Sequence, residues 1–212
     1  MAHALPALAA LCMTVYWTTV IVKLVRLGHK LRKDPNAIPR EPVGQLMRVL
    51  WYPVILVLLV ALFGVAIPNF GGALRSLVGR WMQPLASGLS WLVAGWLAMT
   101  IATLCTIFTF ICWRKMGRSW RIGIDPGETL DLVSTGPYRW VRHPIYSLRM
   151  VINLCIMVAA PVPLVILTAG LDMLLLQIEA RREERYMEST HGQTYAAYKK
   201  NVGRFVPRWR VV

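Results

Sequence analysis

The sequence predicts an all-α integral membrane protein of five transmembrane helices. The last two pair as a C-terminal hairpin, and a cytoplasmic loop meets a cytoplasmic C-terminal helix at one polar site. Three observations lead there. Of 212 residues, 56% are hydrophobic and 16% charged, and the apolar residues come in long uncharged runs. The 24 Lys and Arg residues, giving a net charge of +14, fall mainly between those runs. A proline pair, Pro161-Val162-Pro163, interrupts the last apolar stretch.

The first three spans follow from run length. Ala4 to Val22 is 19 residues without a charge or histidine, Val49 to Leu74 is 26, and Trp81 to Trp113 is 33. A bilayer core needs roughly 20 apolar residues as a helix, so each run is a span whose backbone groups bond internally. The first helix is expected over about 4–25, ahead of a basic loop holding Pro35, Pro39 and Pro42. No Lys or Arg precedes it, so it reads as a retained span rather than a cleaved leader. The second covers about 46–67, closed by Pro68, with Asn69-Phe70-Gly71-Gly72 as an outer turn. The third follows Pro84 and reaches about 113. A polar loop, 114–143, comes next, with Asp125-Pro126-Gly127-Glu128 as its turn.

Pro144 to Ile178 admits one span or two. One span would put the basic segments 113–143 and 179–212 on opposite faces, against the positive-inside rule. Two spans joined near Pro161 keep both inside, and a proline pair breaks a helix. Arg149 and Asp172, the only charges in this stretch, lie 13 residues before and 10 after Val162. That is within about one helical turn in depth, so they are expected to pair, because intramembrane charges are costly alone. A polar helix, Glu179 to Lys200, is expected to leave the last span and run along the cytoplasmic surface, ended by Gly203 and Pro207. The chain thus divides into a three-span part, 1–113, and a catalytic part, 114–212, made of the loop 114–143, the hairpin 144–178 and the helix and tail 179–212. The N-terminus is expected outside and the C-terminus in the cytoplasm, and compactness with the charge bias points to a bacterial inner membrane.

The bases alternate with spans instead of clustering on one domain, which argues against nucleic acid as a partner and for the lipid bilayer with its anionic headgroups. Cys12, Cys105, Cys112 and Cys155 all lie in apolar runs and read as small buried hydrophobes. No metal site is expected.

Two polar clusters flank the hairpin. In the first, Ser134-Thr135-Gly136-Pro137 forms a turn, and Arg142-His143-Pro144 enters the fourth helix, with Pro144 suited to its first turn. His143 would sit beside free N–H groups at the positive helix end, which suits a carboxylate or phosphate. Tyr138, Trp140 and Tyr146 suit a flat ring or a cation. An interfacial aromatic belt with snorkelling arginines is the plainer reading of the same residues. In the second cluster, Glu179 and Glu183 share a helix face and suit an amine or sulfonium; the plainer reading is a solvated helix of mixed charge.

The string Gly136-x-Tyr138-x-Trp140-x-Arg142-His143-Pro144-x-Tyr146 resembles the signature of the isoprenylcysteine carboxyl methyltransferase family. Glu183-Glu184 followed by His191-Gly192, Tyr195 and Tyr198-Lys199-Lys200 is similar to its second signature. Bacterial phospholipid methyltransferases and the C-terminal part of sterol reductases are similar over the same region. The resemblance implies an integral membrane methyltransferase using S-adenosyl-L-methionine, with no dinucleotide-type fold. It implies cofactor contacts at Leu130, Asp131, Leu132, Val133, Gly136, Tyr138, His143, Pro144, Ile145, Tyr146 and Glu183. Glu183 would be the acid nearest the methionine amino end, and His143 with the helix start would take the carboxylate. Glu179, Glu183, His143 and Arg142 are the candidate catalytic residues. The sequence departs from the eukaryotic members at Glu179, where those enzymes place a substrate-contacting arginine. The acceptor is thus a lipidic or apolar molecule, with prenylcysteine carboxylate, an amine lipid, an isoprenoid acid and a small thiol all open. A nicotinamide-dependent sterol-type reductase and a non-catalytic transport or lipid-binding protein are the alternatives.

Overall fold

The structure is a computed structural model that describes residues 3–31, 40–67, 70, 72, 76–117, 120, 123–124 and 131–208. Five long helices dominate: α1 (Ala4–Leu31), α2 (Pro42–Ala66), α3 (Leu89–Met116), α4 (Pro144–Ala159) and α5 (Pro163–Asn201). Short 3-10 turns occupy Gly79–Met82 and Gly136–Arg139. Among the described residues there is no strand, only an isolated parallel bridge between Val141 and Gly203.

The helix boundaries follow local chemistry. Pro42, Pro144 and Pro163 each stand in a first turn, where the missing N–H costs nothing. Gly88 and Gly117 flank α3 at φ 89° and 53°, conformations that side chains disfavour. Arg114 and Lys115 in its last turn suit the negative end of the helix dipole. The expected hairpin is present: α4 ends at Ala159, α5 begins at Pro163, and the buried Val162 fills the bend. Leu85 N–H donates to Pro161 carbonyl at 2.8 Å, tying that bend to the approach to α3.

Ala4–His29, Pro42–Ala66, Leu89–Met116 and Pro163–Asn201 are long and apolar enough to cross a membrane, and Pro144–Ala159 is a shorter apolar helix. α3 packs along α4, α2 along α5, and α1 against α2 and α3. Their shared core holds Leu5, Met13, Leu58, Leu62, Ile152 and Val165. Small residues let the helices approach closely: a Cβ on Gly95 would lie 2.4 Å from Leu5 Cδ1. Thr100, Thr103, Thr106 and Thr109 each donate to the carbonyl four residues back, which satisfies their hydroxyls inside the helix. Outward-facing Leu46, Val49, Leu56, Leu97, Leu104 and Phe108 are exposed. In water they would be a large apolar patch; hydrocarbon suits them.

Arg149 and Asp172 do pair, Nε to Oδ2 at 2.9 Å, both buried. Asp172 also accepts from Asn153 Nδ2 and Trp51 Nε1, each at 2.6 Å, so the pair binds α2 as well as the hairpin. Exchanging Arg149 and Asp172 would turn a guanidinium toward two donors, and the expected loss of thermal stability exceeds that of a symmetric pair.

One expectation needs correction: α1 runs on to Leu31 instead of ending near 25. The polar helix expected from Glu179 is one continuous helix with the last span, α5, up to a kink at Gly192, φ 51°. No helix-breaking residue stands between Gly170 and Gly192, so nothing stops propagation where the apolar residues end.

Candidate active site

The loop before α4 is fastened by the chain's C-terminal segment. Arg142 N–H donates to Gly203 carbonyl at 2.8 Å and His143 N–H to Arg204 carbonyl at 3.1 Å. Tyr198 Oη donates to Tyr138 carbonyl at 2.5 Å. A Cβ on Gly203 would lie 1.9 Å from the Val206 carbonyl oxygen. Gly203→Ala is therefore expected to displace this segment and lower the melting temperature by several degrees, on the scale of about 1–3 kcal/mol for overpacking; thermal unfolding in detergent checks it.

Glu184 is the hub beneath the loop. It is 1% exposed and accepts from Arg142 Nη2 at 2.8 Å and Arg204 Nη2 at 2.7 Å. His143 Nε2 lies 3.3 Å away. Burial alone would raise this carboxyl, but the donors outweigh it and hold it well below the usual carboxylate range. Arg142 Nη1 goes to the Val202 and Lys199 carbonyls. Arg142 is thus committed on every nitrogen, and it fastens the loop to the tail.

His143 caps α4, and its ring stacks on Tyr146 with centroids 5.4 Å apart and planes 4° apart. Its Nδ1 lies 3.5 Å from Glu183 Oε2, and Tyr146 Oη donates to Glu183 Oε1 at 2.6 Å. Burial disfavours the imidazolium, yet the Glu183 and Glu184 carboxylates outweigh that and raise the ring above its ordinary 6.5. A raised folded value contributes stability that is fully present below the ordinary pKa and is lost as pH rises through the raised one. The melting temperature should therefore fall as pH rises above 6.5, and His143→Gln should flatten that limb.

These groups face a cavity of about 260 Å³. Its walls come from both halves of the chain: Tyr16, Trp17 and Trp51 on α1 and α2, and Tyr138, Tyr146 and Glu183 on the loop, α4 and α5. Glu179 also lines it, held by Arg182, which in turn reaches Glu41. Gly123, at φ 72°, passes so close that a Cβ would lie 2.8 Å from Glu179 Oε1 and 3.1 Å from Arg48 Nη2. Several buried donor atoms on this lining have no hydrogen-bond partner among the described residues: Trp17 Nε1, Trp113 Nε1, Tyr138 Oη, and Arg149 Nη1 and Nη2. Each such group costs about 1–3 kcal/mol when nothing receives it, so the cavity suits an acceptor-rich molecule.

Asp131, Leu132, Val133, Tyr138, Arg142, His143, Pro144, Ile145, Tyr146, Glu179 and Glu183 all line the cavity. Gly136 does not; at φ 64° it shapes the turn, with its Cα side against Lys115. Leu130 and the Asp125–Glu128 turn lie outside the described residues. Trp140 is 60% exposed and lies against Arg139, away from the cavity. Sequence reasoning missed Glu184 as a hub and the walls supplied by α1 and α2. The available signals were the adjacent acids of Glu183-Glu184 and the aromatic pairs Tyr16-Trp17 and Trp51-Tyr52.

No curated protein and no solved structure matches the chain. The isoprenylcysteine carboxyl methyltransferase (ICMT) family model matches residues 96–189. That stretch runs from within α3, through the loop and hairpin, to beyond Glu184, so it takes in His143, Tyr146, Glu179 and Glu183. Over residues 96–189 the chain is similar to the isoprenylcysteine carboxyl methyltransferase family.

Proposed function

We propose that the protein is a membrane-embedded S-adenosyl-L-methionine-dependent methyltransferase acting on a lipidic or apolar acceptor. The observation that carries this reading is one cavity lined by both polar clusters, with Asp131–Val133, Tyr138, His143–Tyr146 and Glu183 on a single wall system. The residues fit the cofactor. Two carboxylates, Glu179 and Glu183, match a cation and an amine, while the unspent Tyr138 hydroxyl and Trp113 indole N–H match the acceptor nitrogens of a purine. When bound, the cofactor supplies an electrophilic methyl on a sulfonium with a neutral leaving group.

The chain's own task is then to orient and to exclude water. Tyr146 holds Glu183 by its hydroxyl, and the stacked His143 ring fixes that pair against α4. Tyr16, Trp17 and Trp51 wall off the acceptor side. A carboxylate acceptor needs no base; an amine or thiol would lose its proton to Glu179, the acid on the cavity wall beside Glu183.

In this reading α4 is the fifth span, the N-terminus lies outside, and the loop and tail face the cytoplasm of a bacterial inner membrane, because those segments carry most of the bases. Residues 1–113 wall the cavity and 114–212 hold the cofactor. The test is transfer of labelled methyl groups from S-adenosylmethionine to organic-extractable product by purified protein given a total lipid extract. Label above the Glu183→Gln background is expected, and base-labile label would mark a methyl ester. Equal label with wild type and variant would overturn the assignment.

A further inference from the structure

Leu171, Leu174, Ile178, Arg181 and Arg185 recur along α5 at spacings of three and four, so they share one helix face. The first three are exposed apolar residues of the kind that hydrocarbon suits. The two arginines are exposed as well. Arg181 stands three residues past Ile178, about 4.5 Å further along the axis. A lipid-facing stripe thus ends in two cations where the apolar part of the span ends and headgroups begin. Neither arginine side chain makes a hydrogen bond or an ion pair among the described residues.

The backbone brings two more cations to the same place. Eleven residues of straight helix would span about 16 Å, yet Lys199 Nζ lies 2.5 Å from Glu188 Oε1, because the kink at Gly192 turns the end of α5 back. The tail then lays Arg204 on Glu184 at 2.7 Å. Arg181, Glu184, Arg185, Lys199 and Arg204 line one open cleft, and none of them lines the larger cavity. Glu188 answers Lys199, and Glu184 answers Arg204 and Arg142; Arg181 and Arg185 are left over. Interfacial arginines that only snorkelled would spread their charges into water. Four cations around one cleft, two without a counter-charge, at the head of an apolar stripe, fit a molecule with an anionic head and an apolar chain.

We infer that this cleft is a site for one anionic phospholipid, its phosphate taken by Arg181 and Arg185 with Lys199 and Arg204 beside them, and an acyl chain lying along Ile178, Leu174 and Leu171. A phosphodiester offers charged acceptor oxygens, and the guanidinium fork matches them. Lys199 and Arg204 lend their carbonyls to Arg142 and His143 in fastening the loop before α4. A lipid bound in the cleft therefore adds a link between that fastening segment and α5, and it stabilises the folded chain because the unfolded one has no such cleft. The inference needs only that α5 crosses the membrane, and it is independent of the reaction proposed for the larger cavity.

The experiment offers the full chain in detergent equal amounts of phosphatidylglycerol and phosphatidylcholine with matched acyl chains, and reads the bound lipid by native mass spectrometry. Wild type should retain phosphatidylglycerol over phosphatidylcholine by at least about tenfold. The double variant Arg181→Gln with Arg185→Gln should cut that preference to less than about threefold. Arg26→Gln with Arg114→Gln removes the same charge from exposed positions on α1 and α3 and should leave the preference in place, which separates a site from general attraction. Phosphatidylglycerol should also raise the melting temperature of wild type more than that of the Arg181 and Arg185 variant. No preference in wild type, or one that both double variants keep or both lose, overturns the site. Displacement of the lipid by inorganic phosphate would make the cleft a site for a soluble anion and overturn the lipid assignment.

Discussion

Asp172→Ala is expected to destabilise the protein by about 3–5 kcal/mol, the scale for stripping one partner from a buried ion pair. Asp172 receives Arg149, Asn153 and Trp51, so its loss strands a buried guanidinium and frees two further donors. Removing a charge from an apolar helix would ordinarily ease burial; here the opposite sign follows because the partner stays behind. Thermal and denaturant unfolding in one detergent should show the loss. The double variant Arg149→Met with Asp172→Leu should recover part of it, since no uncompensated charge remains. A single Asp172→Ala variant as stable as wild type would show that the pair is not formed.

Glu183→Gln is expected to weaken S-adenosylmethionine binding by about a hundredfold, near 2.7 kcal/mol, while the protein inserts and purifies as before. The carboxylate is held by Tyr146 and lies beside His143 on the cavity wall. The amide keeps its shape and can still accept from Tyr146, so the change removes charge and little else. Glu184→Gln should behave differently. Glu184 is buried among Arg142, Arg204 and His143, and its loss should appear first as a lowered melting temperature. Two adjacent acids thus divide into a cavity-facing residue and a fastening one, and comparing affinity with stability separates them.

The hairpin and its ion pair were legible because both follow from counting. Pro161-Val162-Pro163 breaks a helix wherever it stands, and the depths of Arg149 and Asp172 follow from rise per residue. That Tyr138, His143, Tyr146 and Glu183 line one cavity agrees with the resemblance carried by their two motif strings, and not with any local period. The contribution of α1 and α2 was not legible, since Trp51 meets Asp172 across 121 residues, and no local period records such a contact. Along α5 the change from apolar to polar residues marks a change of solvent and not a change of backbone. Arg142 reads from the sequence as a candidate for chemistry, and Glu184 carries no role of its own there. Arg142 sits inside the motif but spends its donors on Glu184, Val202 and Lys199, a tertiary fact that depends on how the tail folds back.

The most direct measurement is calorimetric titration of detergent-purified protein with S-adenosylmethionine and S-adenosylhomocysteine, with NADPH in parallel, for wild type and Glu183→Gln. Binding of both adenosyl ligands by wild type, lost in the variant, is the expected result. Binding of NADPH alone would contradict the methyltransferase reading in favour of a reductase, and adenosyl binding unchanged in Glu183→Gln would contradict the site.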